Sequence, residues 1–183
     1  MEGGWSGKMK SILITGGARS GKSQFAQKLA IEVGGSVLFV ATAEAKDEDM
    51  RLRIEAHRKS RPGSWKTLEA PLGISEIIGR HIGEAKIVVI DCITMLVANI
   101  LLRGRDGAPA EEPVLKEINA LINRMDELEA TFILVSNEVG LGLVPDNELG
   151  RRYRDCLGRA NQILAQHADE VYLMVAGIPI RLK

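Results

Sequence analysis

The sequence predicts an α/β fold: a mostly parallel sheet flanked by helices on both faces, with an antiparallel hairpin at one edge. Three observations carry this. Short β-branched apolar runs alternate with amphipathic helical stretches along nearly the whole chain, the pattern of βαβ units joined by right-handed crossovers. The run Lys86-Ile-Val-Val-Ile90 is apolar without alternation, as suits a strand covered on both faces. The last two runs are parted only at Gly177, which leaves room for a hairpin and none for a crossover helix.

Taken in order, Ser11 to Thr15 is the first strand; it stops at Gly16-Gly17 and leads into a helix that carries Phe25, Ala26, Leu29 and Ala30 on its apolar side. Gly34-Gly35 ends that helix, and Val37 to Val40, closed by Ala41-Thr42, completes a βαβ unit. Asp47 to Lys59 is charged with helical spacing, Met50, Ile54 and His57 sharing a face, and Arg61-Pro62-Gly63 ends it. Trp65 to Leu68 predicts a short strand and Ile74 to His81 a short helix. After the strand at Lys86 to Ile90 comes Asp91, then a helix beyond Thr94. Arg103 to Pro113 holds Gly, Pro and charges and predicts an exposed loop. Val114 to Leu128 has the i, i+3, i+4 spacing of a surface helix. Thr131 to Val135 predicts a buried strand, Asn147 to Ala168 a long polar helix with several arginines, and Val171 to Val175 and Ile178 to Leu182 the closing hairpin.

The bulk numbers agree with one domain over residues 11 to 183, with residues 1 to 10 expected as a flexible extension. A chain of 183 residues, 45% hydrophobic and 26% charged, matches the averages for globular proteins. Lys plus Arg equals Asp plus Glu at 24 each, without the basic footprint of a dedicated nucleic-acid binder, so no nucleic-acid partner is expected. No apolar stretch approaches a membrane span or signal peptide, and the expected location is the cytoplasm. Cys92 and Cys156 have no C-x-x-C spacing and are expected as free thiols.

In open α/β sheets ligands bind beyond the carboxyl ends of the strands. The loops that start at Gly16, Ala41, Asp91 and Ser136 are therefore expected to converge. The first of them, Gly16-Gly17-Ala18-Arg19-Ser20-Gly21-Lys22-Ser23, satisfies G-x-x-x-x-G-K-S/T between the strand and helix that this motif requires. Its glycines let backbone N–H groups turn inward onto phosphate oxygens, and the helix N-terminus adds positive potential. Lys22 would reach the β- and γ-phosphates, and Ser23 would place its hydroxyl on Mg²⁺. These features specify a P-loop NTPase fold of RecA-like type. Asp91 closes a buried strand at the ligand edge, where such proteins hold a carboxylate for magnesium; Glu138 has a weaker claim. His57 shares its helix end with Arg51, Arg53, Arg58 and Arg61. On composition it is more often a structural histidine than a nucleophile, but cations beside it would hold phosphates and leave a neutral ring nitrogen free to attack. His81 and His167 read as surface residues. Arg151, Arg152, Arg154 and Arg159 read as a solvated face that an anionic ligand could use.

Further motifs extend the pattern: Ala41-Thr42-Ala43, Arg53-Ile54 with His57-Arg58 and Arg61-Pro62, Asp91-Cys92-Ile93-Thr94, Ser136-Asn-Glu-Val-Gly-Leu-Gly-Leu-Val-Pro145, and Arg154-Asp155 with Gly158 and Asn161-Gln162. From about Ser11 to Lys183 the chain resembles the bifunctional adenosylcobinamide kinase/adenosylcobinamide-phosphate guanylyltransferase family. The resemblance implies two reactions. Adenosylcobinamide is phosphorylated by ATP or GTP, and GMP then passes from GTP to adenosylcobinamide phosphate through a covalent histidine, which matches His57. It implies guanosine-nucleotide contacts at Gly16 to Ser23, Ala41, Thr42, Ala43, Arg58, Lys59, Ser60, Arg61, Glu69 and Asp91, and a homotrimer. Two other readings fit the P-loop alone: a single-function small-molecule kinase with a structural His57, and a RecA-like ATPase that drives a partner protein.

Overall fold

The computed structural model describes residues 10–45, 47–103 and 111–183. The expected N-terminal extension lies outside these except for Lys10, whose ammonium pairs with Glu170 at 2.7 Å. The chain runs through β1 (Ser11–Gly16), α1 (Lys22–Val33), β2 (Val37–Ala41), α2 (Glu48–Lys59), β3 (Lys66–Glu69), α3 (Ile74–His81), β4 (Ile87–Asp91), α4 (Ile93–Arg103) and α5 (Glu111–Glu127). There follow β5 (Thr131–Val135), a 3₁₀ turn (Val139–Leu141), α6 (Glu148–His167), β6 (Glu170–Val175) and β7 (Ile178–Arg181). The seven strands form one sheet in the order β3-β2-β4-β5-β1-β6-β7. Every pairing is parallel except β6 with β7, as the sequence predicts.

Alternation along the strands divides the core between the two faces. Leu13, Leu38, Val88, Ile90 and Leu134 point to one side, where Ile78, Leu96, Ile118 and Leu157 of α3 to α6 cover them. Ile12, Ile14, Phe39, Val89 and Ile133 point to the other, against Ala26, Leu29 and Ala30 of α1. Ile90 is fully buried, and truncating such a residue to alanine costs about 2–5 kcal/mol. No described residue of α2 is buried. That helix depends on local devices: Asp47 caps it by accepting from the Met50 N–H at 2.7 Å, and Arg51 pairs with both Glu48 and Glu55 at 2.5 Å. Exposed pairs of this kind are worth a few tenths of a kcal/mol.

Several boundaries differ from expectation, most by one residue. The loop expected from Arg103 to Pro113 is helical where described: α4 includes Arg103 and α5 begins at Glu111, while residues 104–110 lie outside the described residues. Pro113 misled because it breaks helix interiors, yet in a first turn its missing N–H has no partner to lose. The closing strand ends at Arg181 and not Leu182. Its turn is built from Ala176 at φ 50° and Gly177 at φ 83°, the left-handed pair of a two-residue hairpin. Pro179 sits mid-strand on the sheet edge opposite Met174 and offers no N–H to a further strand.

Candidate active site at the carboxyl edge of the sheet

The phosphate loop is shaped by its neighbours as well as by its own glycines. At Gly16 a Cβ would come within 2.5 Å of the Met174 carbonyl oxygen on β6, so only glycine lets the two strands run this close. Arg19 and Gly21 take positive φ, 58° and 93°, which turns the loop back into α1. The Gly177 N–H of the C-terminal hairpin donates to the Ser20 carbonyl at 3.0 Å and props the loop from below. Lys22 is 8% exposed, and its ammonium donates to the Gly17 carbonyl at 2.5 Å and to the Ser20 hydroxyl at 3.4 Å. Ser23 follows, half-buried, at the second position of α1, while Gly17, Ala18 and Arg19 are exposed.

Register brings the other loops alongside. Ala41 pairs with Glu69 on one side and Asp91 on the other, so those three positions line the carboxyl edge on adjacent strands. Asp91 pairs in turn with Val135, and Val135 with Ile14, two residues short of Gly16. The corner after β2 is locked. The fully buried Thr42 hydroxyl donates to the Cys92 carbonyl at 2.7 Å and accepts from the Cys92 N–H at 2.8 Å. Asn99 of α4, also buried, donates to the Thr42 carbonyl at 2.8 Å and that of Pro71 at 3.2 Å. Burial, with the neighbouring Asp91 carboxylate, pushes the Cys92 thiol up to about 11, so it stays protonated near neutrality. Cys92 and Cys156 are both free, as expected.

Arg61 ties the end of α2 to this edge. Its guanidinium carbon lies 3.6 Å from the Phe39 ring centroid, and Phe39 stacks with Trp65 at 6.3 Å. Burial lowers the Arg61 guanidinium from its usual value; the Asp91 and Glu69 carboxylates oppose this and Arg58 adds to it. Arg58, Arg61, Glu69 and Asp91 therefore share one electrostatic neighbourhood. His57 is half-buried in the last turn of α2, where its carbonyl accepts from the Ser60 hydroxyl at 2.9 Å. No hydrogen bond joins its ring to the phosphate loop among the described residues, and Arg58, Lys59 and Ser60 are exposed.

Glu138 has more contact with the loop than its sequence position indicates. It accepts from the Thr15 hydroxyl at 2.6 Å and from the Asn161 amide at 3.0 Å, and its N–H donates to the Gly16 carbonyl at 3.1 Å. Phe39, Asn99 and Asn161 support the site in ways that sequence patterns do not announce; only Asn161 belonged to a recognisable motif. His81 is exposed, and His167 lies 3.2 Å from Asp126. For a metal, Ser23 and Asp91 offer a hydroxyl and a carboxylate. These hard oxygens fit Mg²⁺, which takes one or two protein ligands and completes its shell with phosphates and water. Among the described residues no group of three or more His, Cys, Asp and Glu side chains could form a protein-only cage.

A sequence profile described as cobinamide kinase / cobinamide phosphate guanyltransferase matches residues 12–182. The chain belongs to this family. Members of the cobinamide kinase/guanyltransferase family combine two transferase activities, so the protein is a bifunctional enzyme. It is 42% identical over 180 residues to the bifunctional adenosylcobalamin biosynthesis protein CobU of Escherichia coli (strain K12), covering 94% of this chain and 99% of that one. The corresponding CobP protein of Pseudomonas aeruginosa is 42% identical over 175 residues, with 93% and 96% covered. Among solved structures, one described as an ATPase domain superposes with a TM-score of 0.54 at 16% identity over 90% of this chain and 68% of that one, which supports the P-loop fold and nothing finer.

Proposed function

We propose that the enzyme phosphorylates adenosylcobinamide with ATP or GTP and then moves GMP from GTP to adenosylcobinamide phosphate through His57, giving adenosylcobinamide-GDP. The observation that carries this reading is Arg61. Packed on Phe39 and under the electrostatic influence of Asp91 and Glu69, it links the helix end that bears His57 to the strand edge on which those carboxylates stand. In the first reaction Gly16 to Ser23 cradle the triphosphate, Lys22 neutralises charge on the transferred phosphoryl group, and the substrate hydroxyl displaces the nucleoside diphosphate. Mg²⁺ held by Ser23 and Asp91 would offset phosphate charge. In the second reaction an imidazole nitrogen of His57 bonds to the α-phosphorus of GTP as the bond to the β-phosphate oxygen breaks, releasing pyrophosphate. A phosphate oxygen of the corrinoid then attacks the same phosphorus, and the histidine leaves. Splitting the transfer replaces one difficult displacement with two easier ones. Arg58, Lys59, Ser60 and Arg61 hold the nucleotide during the exchange, with Ala41, Thr42, Ala43 and Glu69 forming its wall. The enzyme works in the cytoplasm as a homotrimer, which sedimentation of the purified chain would test.

The deciding experiment omits the corrinoid. With GTP and Mg²⁺, label on the α-phosphate should stay with the protein and label on the γ-phosphate should leave. The bond should be acid-labile and alkali-stable, as a phosphoramidate is. His57→Asn should bind GTP without forming the adduct. A mutant that labels like the wild type, or a wild type that labels only from the γ-position, removes His57 as the carrier.

A further inference from the structure

Between α5, α6 and the 3₁₀ turn lies an open cleft of about 650 Å³ that the nucleotide reading does not use. Its floor is Gly140 and Gly158, where a missing side chain leaves the space: a Cβ at either glycine would meet nothing within 4 Å. Its rim alternates in sign, with Glu111 and Asp155 set against Arg154 and Arg159, and Leu115 adds an apolar wall. Arg154 is engaged by Asp155 at 2.9 Å. The side chains of Arg159 and Gln162 line the cleft with no hydrogen bond or ion pair to another described residue.

The cleft is linked to the phosphate loop through Glu138 and Asn161. Gly140 lies two residues beyond Glu138, whose N–H holds the Gly16 carbonyl, and Asn161, next to Gln162, donates to the Glu138 carboxylate. An acceptor seated here would have one end at the phosphates. The balanced rim argues against a second nucleotide, because a polyanion would meet two carboxylates. It suits neutral carboxamides, whose carbonyls accept from Arg159 and Gln162 while their N–H groups donate to Glu111 and Asp155. Leu141 and Leu143 on the adjoining segment are 78% and 96% exposed, an apolar surface ready for a flat ring.

We propose that this cleft seats the corrin macrocycle of the acceptor, with its rim of carboxamide side chains on α6 and its apolar face against Leu115 and the Leu141–Leu143 segment. The identity of the ligand rests on the function proposed above; the place does not. The test is equilibrium dialysis of adenosylcobinamide, followed by its visible absorbance, against the full-length protein with Mg²⁺ and a non-hydrolysable GTP analogue. Gly158→Leu fills the floor without strain on a helix that favours leucine, and Arg159→Ala removes an unpaired donor. Each should weaken corrinoid binding by roughly tenfold or more, the leucine by occupying the space and the alanine by removing a charge-assisted hydrogen bond. Adduct formation from α-labelled GTP without corrinoid should stay at the wild-type level. Arg159→Ala, an exposed change, keeps the test decisive should Gly158→Leu misfold. Wild-type corrinoid affinity in folded variants overturns the cleft assignment and leaves the His57 chemistry standing. Loss of the adduct in wild type with cleft-dependent corrinoid binding overturns the His57 chemistry alone. A wild type that does not bind adenosylcobinamide overturns both the cleft assignment and the proposed substrate.

Discussion

Thr42→Val isolates one hydroxyl that holds the site's central corner. The two side chains have nearly the same shape, so the substitution leaves no cavity, but valine can neither donate to the Cys92 carbonyl nor accept from the Cys92 N–H, bonds of 2.7 and 2.8 Å in the structure. A backbone group left unpaired away from water costs about 1–3 kcal/mol, and here there are two. Thr42 is fully buried but Cys92 is only half-buried, so water can replace part of what is lost. A destabilisation of roughly 2–3 kcal/mol follows, or about 5–10 °C in Tm for a chain of this length. Guanidinium chloride unfolding should show a lower midpoint at unchanged slope. Thr42→Ser is the control: it keeps the hydroxyl and loses one methyl, worth about 1 kcal/mol. If valine costs no more than serine, the hydroxyl is not what holds the β2 and β4 corners together.

Three further outcomes are expected. Lys22→Ala should slow both half-reactions more than about tenfold if, as proposed, one cradle serves each triphosphate, because a charged contact is worth about 1.5–3 kcal/mol; wild-type rates in both would contradict a shared cradle. Asp91→Asn should raise the Mg²⁺ concentration needed for half-maximal adduct formation, because an amide brings no negative charge to the ion; an unchanged titration would move the metal elsewhere. The third concerns acid stability. Burial works to raise the Glu170 carboxyl, but hydrogen bonds from Lys10 and Tyr172 and the charges of Lys10 and Arg181 outweigh it and hold the group below its usual value. A depressed carboxyl contributes stability above the unfolded value, about 4.3, and that contribution disappears as pH falls through the lower folded value. Lys10→Met should therefore shrink the stability lost on acidification, read as the unfolding midpoint against pH; equal slopes for mutant and wild type would refute it.

What the sequence disclosed follows from how local each device is. Gly16 to Ser23 could be read because strand, turn and helix are contiguous and the glycines declare the backbone geometry themselves. Asp91 could be read because an acidic residue directly after Ile87 to Ile90 marks a strand end. The support around them could not. Thr42 meets Cys92 only once β4 is laid beside β2, and Arg61 meets Phe39 only once the end of α2 folds back onto β2, and no local pattern encodes either. Arg159 and Gln162 look like any solvated helix face until the glycines at 140 and 158 are seen to empty the space before them. The start of α5 was hidden for the opposite reason: Pro113 is a strong local signal whose meaning depends on which turn it occupies.

The hydrogen bond from Gly177 to the Ser20 carbonyl has a temporal meaning. β1 emerges first from the ribosome, yet its partners are β5 and β6, and the Lys10–Glu170 pair spans 160 residues. The nucleotide site is thus complete only after β5 and β6 have been made and the β6–β7 hairpin is free of the exit tunnel. Nascent chains stalled before Glu170 should fail to retain GTP, and those extended past Lys183 by a linker longer than the tunnel should retain it. Retention by the shorter chains would mean that the phosphate loop shapes itself without its last buttress.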